Sequence, residues 1–285
     1  MSNILSFESE WVRRMPGRIQ IIRFMREAIG VKEVKWDDLT AYNLSLVKDY
    51  ICKRAGSSNT AVTYFADIKR FLTVFRKEGI VPCDEPEAFL KAKKEPQQNV
   101  ALNEKELNLI VEYYDELMKK KNHKPEKDCL TLFLLEAFCG ARSCDIDVMT
   151  ASNIVNGMLT YVSIKTHVLA TIPVHRRLAE LISRKPKTVY SNTTKNRIIK
   201  RIAKKVGITQ PVTIFYHGQM RTLPKYEYLG THSARRSFAS ILSEKGVPIA
   251  EIAQYMSHTN TSMTERYIKV DSHKVSEAAL SFFNG

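Results

Sequence analysis

Six residues in the second half of the chain have the types and the order to handle a phosphate: Arg142, Lys165, His232, Arg235, His258 and Tyr267. Arg142 lies in Gly140-Ala141-Arg142-Ser143-Cys144-Asp145, and His232 and Arg235 lie in Thr231-His232-Ser233-Ala234-Arg235-Arg236. His258 follows Met256-Ser257, and Tyr267 closes Thr264-Glu265-Arg266-Tyr267. Two arginines, a lysine and two histidines can hold and neutralise one phosphate, and a tyrosine is a nucleophile that can attack it. Each group is common when taken alone. Lys165 by position is an ordinary turn lysine, and His-x-x-Arg counts only because of its company.

The charge balance points the same way. The chain of 285 residues carries 44 Lys and Arg against 30 Asp and Glu, a net charge of +14. Residues 1–99 hold 17 basic and 13 acidic side chains, and residues 100–285 hold 27 and 17, so most of the excess accompanies the six residues. A basic surface favours polyanions by counterion release, yet charge alone leaves DNA, RNA and anionic membranes open. Five cysteines, an odd number with no Cys-x-x-Cys pair, argue against a disulfide framework and against a zinc site. Cys139 and Cys144 sit in an apolar run and are expected in the core. No apolar stretch reaches membrane-spanning length, and the N-terminus lacks the apolar segment of a signal peptide. A cytoplasmic protein is expected, nuclear in a cell with a nucleus, without a membrane partner. No carboxylate cluster suited to Mg²⁺ and no Gly-rich phosphate loop is evident, so no cofactor is expected.

The elements that must position the six residues are mostly helical. The spacing predicts helices over Trp11–Ala28, ended near Gly30, and Leu39–Cys52, capped by Asp37 or Asp38. A third, Thr60–Phe75, carries Val62, Phe65, Ile68, Leu72 and Phe75 as one apolar stripe, with Ser57, Ser58 or Asn59 as cap. Its other face bears Lys69, Arg70 and Arg76, a DNA contact or simply a solvated face. A polar stretch with a proline at residues 96–102 reads as a linker between a region 1–95 and a region 103–285. The second region opens with a helix from Glu104 to Met118, capped by Asn103 with Glu106, and another from Cys129 to Phe138 that Gly140 ends.

A β pattern follows. Asn156-Gly157 between Asn153–Val155 and Met158–Val162 is a strong hairpin signal, and Val168–Val174 supplies a third strand. Lys165 then falls at the second turn of a small antiparallel sheet. Arg184–Lys205 holds nine basic and no acidic residues, including a predicted helix over Lys195–Lys205 with Lys200 and Arg201. This stretch is a plausible stripe for a duplex backbone. Residues 212–230 read as irregular or hairpin-like, and everything after Thr231 reads as helical. There His232 and Arg235 share one helix face, and Gly246 stops that helix. Pro248 opens the next helix, which buries Ile249, Ile252, Ala253 and Met256. His258 ends that helix, and Asn260, or Ser262 with Glu265, caps the helix that carries Tyr267 about two turns in.

Taken in this order and spacing, the motifs resemble those of the tyrosine recombinases, the integrase family of phages and mobile elements that includes the Xer and Cre types. The resemblance runs through Arg142 with Asp145, Lys165-Thr166, His232-Ser233-Ala234-Arg235, Gly246, His258 and Thr264-x-x-Tyr267, and covers most of 101–285. Two positions depart from the family pattern: Met256-Ser257 stands for the usual leucine-glycine, and Arg236 for a frequent histidine. The resemblance implies a mainly α fold with a small antiparallel β-sheet. A helical SAM-like core-binding domain over 1–95 would precede an α+β catalytic domain over 103–285 that ends in an exchange helix.

The resemblance also implies roles. Tyr267 would attack a phosphodiester and form a 3′-phosphotyrosyl bond, with His232 as candidate base, because a free tyrosine titrates near pH ~10. Arg142 and Arg235 would clamp the non-bridging oxygens, Lys165 would protonate the leaving 5′-oxygen, and His258 would donate to the phosphate. Asp145 would support the site. Lys69, Arg70, Lys200, Arg201 and Arg236 are candidate DNA contacts. Neither metal nor ATP would be needed. The partners implied are double-stranded DNA with inverted core sites, and a homotetramer on that DNA formed from free monomers through a Holliday junction. Accessory DNA-bending factors are candidate partners that the sequence does not reveal. The apolar residues Val275, Ala278, Ala279, Leu280, Phe282 and Phe283 would dock into the next protomer, or else pack on their own domain. Two other classes compete: a helix-turn-helix regulator built on 238–267, which leaves Arg142 and Lys165 unexplained, and a type IB topoisomerase-like enzyme acting alone.

Overall fold

The computed structural model describes residues 5–77, 79, 86–95, 100–216 and 219–268. The chain divides into two compact units, residues 1–97 with 214–221, and residues 98–213 with 222–285. The first unit is helical: α1 (Phe7–Arg14), α2 (Ile19–Ile29), α3 (Ala41–Arg54), α4 (Ser58–Lys77) and α5 (Pro86–Phe89). The helix expected over Trp11–Ala28 is two helices. Pro16 lacks an N–H and disfavours the α conformation at the residue before it, so Met15 leaves the helix with φ −134° and ψ 53°. Gly30 does end α2, in the left-handed conformation with φ 80°. The second helix starts two residues later than expected: Thr40 caps it by accepting from the Asn43 N–H, while Asp37 and Asp38 belong to a short 3₁₀ turn.

Of the α4 stripe, Phe65, Ile68, Leu72 and Phe75 are buried with Phe7, Trp11 and Phe71, and Val62 is half-buried. Ser57 caps α4 through the Thr60 N–H at 3.1 Å. Leu90 is fully buried in this core, and Glu95 is tied back to Asn59 and Ser58. Of the polar linker stretch, 96–99 lies outside the described residues. Leu102 is buried in the second unit and donates its N–H to Ser237 at 2.8 Å.

The second unit is α+β. Its helices are α6 (Glu104–Met118), α7 (Lys124–Cys139), α8 (Ser143–Val148), α9 (Leu178–Ser183), α10 (Asn192–Lys205), α11 (Thr231–Glu244), α12 (Ile249–Tyr255) and α13 (Thr261–Glu265). Asn103 and Glu106 form the expected reciprocal cap of α6, at 2.9 and 2.8 Å. Central α7 packs on α6, α8, α9, α10 and α11. It begins before Cys129, where Pro125 fits the first turn, and stops at Gly140 with φ 63°. Gly140 must be glycine for a second reason: a Cβ there would lie 2.4 Å from the Phe238 ring.

Strands β1 (Ile154–Val155), β2 (Met158–Val162) and β3 (Leu169–Pro173) form an antiparallel sheet in sequence order. Asn156 and Gly157 both take positive φ, 51° and 75°, as the two-residue hairpin turn requires. Strands β4 (Pro211–Tyr216) and β5 (Gln219–Pro224) make a separate hairpin. Helix α10 starts three residues before the expected Lys195, capped by Ser191. Cys139 is buried as expected, but Cys144 is exposed, because α8 turns it away from the apolar run that precedes it. Cys83 and the apolar tail 275–283 lie outside the described residues.

Candidate active site

The backbone delivers the six residues from five places. Arg142 leaves the α7 stop and caps α8 with extended backbone, φ −78° and ψ 153°. Lys165 is exposed in the β2–β3 turn. His232 and Arg235 lie about one turn apart at the start of α11. His258 follows α12, and Tyr267 lies in the turn just past α13 instead of two turns inside a helix, its N–H bonded to the Thr264 carbonyl at 2.8 Å. Asn260 caps the helix as expected, but Arg266 already closes it after Glu265. Pro248 stands just outside α12, one position earlier than expected, and Ile249 is only half-buried while Ile252, Ala253 and Met256 are buried.

Arg235 is the hub. It is 2% exposed, an expensive place for a guanidinium. Its Nη1 donates to the Gly140 carbonyl, and its Nη2 donates to the Met256 carbonyl at 2.5 Å and to His258 Nε2 at 2.8 Å. One side chain thus ties the α7 stop to the end of α12. Burial, then the charge of Arg142, makes the charged state of Arg235 costlier than usual; Tyr161, Tyr267 and Asp145 act in the opposite sense.

His258 is buried, and arginine can only donate, so its Nε2 is an acceptor and Nδ1 carries the proton. Nδ1 then donates to Thr264 Oγ1 at 2.8 Å. Burial first, then Arg235 and Arg142, pushes the His258 pKa down to about 3. The ring is therefore neutral near pH 7, and its centroid lies 5.7 Å from that of Tyr267. Ser240 Oγ holds the Tyr267 carbonyl at 2.9 Å.

Arg142 is anchored through a residue that no motif named. Its Nη1 donates to Ser163 Oγ at 3.0 Å, and Ser163 Oγ donates to Asp145 Oδ2 at 3.1 Å. Asp145 is fully buried and also accepts the Ile164 N–H at 2.8 Å. Strand alternation does carry a signal for Ser163: Leu159, Tyr161 and Ser163 share the buried face, and a serine there needs a polar partner. The Lys165 turn is fastened beside His258, since Thr166 Oγ1 donates to the Ser257 carbonyl at 3.1 Å. Ser257 itself has φ 51°, the left-handed region that glycine favours.

His232 is exposed on α11, yet loss of solvent around its ring lowers its pKa, followed by the charges of Arg236, Arg235, Lys165 and Arg142. The six residues therefore share one site, each within the electrostatic or hydrogen-bonding reach of others. Sequence reasoning also missed Glu136, buried on α7. Its carboxyl accepts from Ser143 Oγ beside Arg142, and burial raises its pKa to about 7.

The candidate DNA contacts are dispersed. On the first unit Lys69 is half-buried, and Arg70 is exposed with Asp67 at 3.6 Å. On the second, Arg201 pairs with Glu126 at 2.5 Å and Lys200 with Glu227 at 3.6 Å, so acidic neighbours partly offset the α10 stripe. Arg236 is half-buried beside His232. Among the described residues, no helix is long and apolar enough to cross a membrane.

Comparison with known proteins adds to this geometry. A family model described as the phage integrase family matches residues 77–274. No curated protein matches the sequence. Among solved structures, the fold is similar to a lambda integrase dimer bound to a COC′ core site, with TM-score 0.65 and 17% identity over 95% of each chain. It is also similar to the Tn1549 transposon integrase in complex with a circular intermediate DNA, with TM-score 0.62 and 13% identity over 97% of each chain. A third match is the XerH site-specific recombinase bound to a palindromic difH substrate, with TM-score 0.62 and 13% identity over 94% of this chain and 80% of that one.

Proposed function

Because this chain belongs to the phage integrase family, we propose that it is a site-specific DNA recombinase of the tyrosine type. It would cut and rejoin duplex DNA through a phosphotyrosyl intermediate. One observation carries the reading: the charge of Arg142 reaches buried Arg235 and makes its charged state costlier, with His258 and Tyr267 alongside. A doubly charged oxyanion offsets that cost, and the phenol beside it is the nucleophile.

The chemistry of each residue follows. Tyr267 Oη attacks phosphorus while neutral His232 takes the phenolic proton. The bond from phosphorus to the 5′-oxygen breaks, and the Lys165 ammonium protonates that oxygen. The 3′-phosphate is then linked to Tyr267. Arg142 and Arg235 fork onto the non-bridging oxygens as charge develops. An anion seated between the arginines offsets the part of the His258 shift that their charges cause, which favours a proton on the ring and a hydrogen bond from it to the phosphate. The covalent link conserves the bond energy. Attack by the 5′-hydroxyl of a partner strand reverses the step and joins new ends through a Holliday junction, without ATP.

Duplex DNA with inverted core sites is the proposed partner, gripped by residues 1–95 and by the catalytic region 103–285, with Lys69, Arg70, Lys200 and Arg201 on the backbone. Four copies would act together on it; a lambda integrase tetramer of similar fold was solved on a Holliday junction. The chain would work where the cell keeps its DNA, the cytoplasm of a cell without a nucleus.

The test is a nicked, suspended duplex carrying the cleavage site. The full chain should trap as a covalent adduct, and Tyr267→Phe should yield none. Arg142→Ala or Arg235→Ala should slow trapping on the order of 100-fold or more. Shifted bands with no adduct would leave a DNA-binding regulator. Relaxation of unrelated supercoiled DNA without strand exchange would leave a topoisomerase.

A further inference from the structure

Arg236 stands outside the hydrogen-bonded cluster built on Arg235. It is half-buried on α11, and among the described residues its buried Nε has no hydrogen-bond partner. A buried N–H without an acceptor is a standing cost, and such a group needs a reason to persist. Arg236 lines a pocket of about 380 Å³ with Asn196, Lys200, Glu227, Gly230 and His232. Lys200 faces Glu227 at 3.6 Å, so the two charges offset one another. Loss of solvent around its ring and the surrounding cations lower the pKa of His232, which favours its neutral form. The pocket therefore keeps one positive charge in excess, on Arg236.

Its hydrogen-bonding groups are mostly donors. Asn196 Oδ1 is already taken by the Thr231 N–H at 2.9 Å, which turns the amide NH₂ of Asn196 to the remaining partners. Gly230 is needed for that arrangement, because a Cβ there would lie 2.9 Å from Asn196 Oδ1. Lys200 adds an ammonium. A guanidinium, an ammonium and an amide NH₂ around one excess charge match a tetrahedral singly charged oxyanion. His232 forms part of the pocket wall and also feels Arg235 and Arg142, so the pocket adjoins the centre where the reacting phosphate would sit.

We propose that this pocket seats a second phosphate of the DNA backbone, next to the one that is cut, with Arg236 as its charged partner and Lys200 and Asn196 as donors. This rests on the recombinase reading and adds to it a fixed register of the strand: two successive phosphates held on either side of His232.

The test uses the full chain, its Arg236→Gln, Arg236→Lys, Lys200→Gln and Lys200→Gln/Arg236→Gln variants, and a plain duplex, with affinity measured across a salt series. Melting temperatures establish that each variant is folded. Neutralising one phosphate contributes about 0.9 to the slope of log affinity against log salt. Arg236→Gln should flatten the slope by about that amount, and Arg236→Lys should restore most of it. Because Glu227 already offsets the Lys200 charge, the double variant should lose about 0.9 as well, not the roughly 1.8 of two separate contacts. An unchanged slope in Arg236→Gln, a double variant near 1.8, or no DNA binding by the parent chain would overturn the proposal. The recombinase reading fails on a different readout, the absence of a Tyr267 adduct, and an adduct with an unchanged slope would remove only the second phosphate seat.

Discussion

At His258 the free protein holds its ring neutral near pH 7, and the effect on stability is measurable. An unfolded histidine titrates near 6.5 and the folded ring near 3. Between these values the unfolded chain binds more protons, so stability is complete above 6.5 and falls as pH drops toward 3. The contribution is at most about 1.4 kcal/mol per pH unit. Urea unfolding of the parent chain and His258→Gln from pH 7 to 4 should show the parent losing stability faster on acidification. Parallel curves would mean that His258 is not held neutral by its neighbours. Ser163 offers a second test. Its hydroxyl is the link between the Arg142 guanidinium and buried Asp145. A hydrogen bond to a charged group contributes about 1.5–3 kcal/mol. Ser163→Ala should therefore slow formation of the Tyr267 adduct roughly tenfold or more, with DNA affinity little changed, since the arginine keeps its charge and loses only its aim.

Between the elements, Gly140 is where the site is most exposed to a single methyl group. Its positive φ stops α7, its carbonyl receives Arg235, and its bare Cα lets the Phe238 ring lie against it. Gly140→Ala adds left-handed strain to a clash, and should lower unfolding free energy by about 1–3 kcal/mol in a denaturant titration. It should also slow cleavage, because Arg142 lies two residues on and Arg235 loses its anchor. A variant as stable and as active as the parent would show that this contact is not needed. That Gly140 ends a helix just before Arg142 was legible in the sequence, as were the Asn103 cap and the Asn156-Gly157 hairpin, because each depends on a local rule. The break at Pro16 was equally local, but the apolar pattern running through it hid it. Tyr267 was placed on the right stretch yet in a different setting, since α13 begins at its expected Asn260 cap but closes at Arg266, before the tyrosine. Glu136 became visible as a site neighbour only when helix faces met, and Ser163, although strand alternation puts it on the buried face, was not recognised until its partners Arg142 and Asp145 were in place. At Ser257, where the family pattern has glycine, the chain still adopts the left-handed turn, so the backbone shape outlasts the residue that usually supplies it.

For the whole molecule, the question is how many copies act and what joins them. Val275, Ala278, Ala279, Leu280, Phe282 and Phe283 cluster in the sequence after Tyr267. An apolar cluster of this kind must be covered either by its own chain or by another copy. The two cases separate by experiment. If the tail docks on a second copy, Phe282→Ala/Phe283→Ala should leave the melting temperature of the free chain unchanged. Sedimentation of the variant with cleavage-site DNA should then lose the four-copy species, and Holliday junctions should fall while the Tyr267 adduct on a suspended duplex still forms. If the tail covers its own domain, the free chain melts lower, because removing two buried rings costs about 3–5 kcal/mol each, and adduct and junction fall together. The first pattern follows from the proposed reaction: cleavage is completed within one copy, whereas exchange requires several copies held in register on DNA.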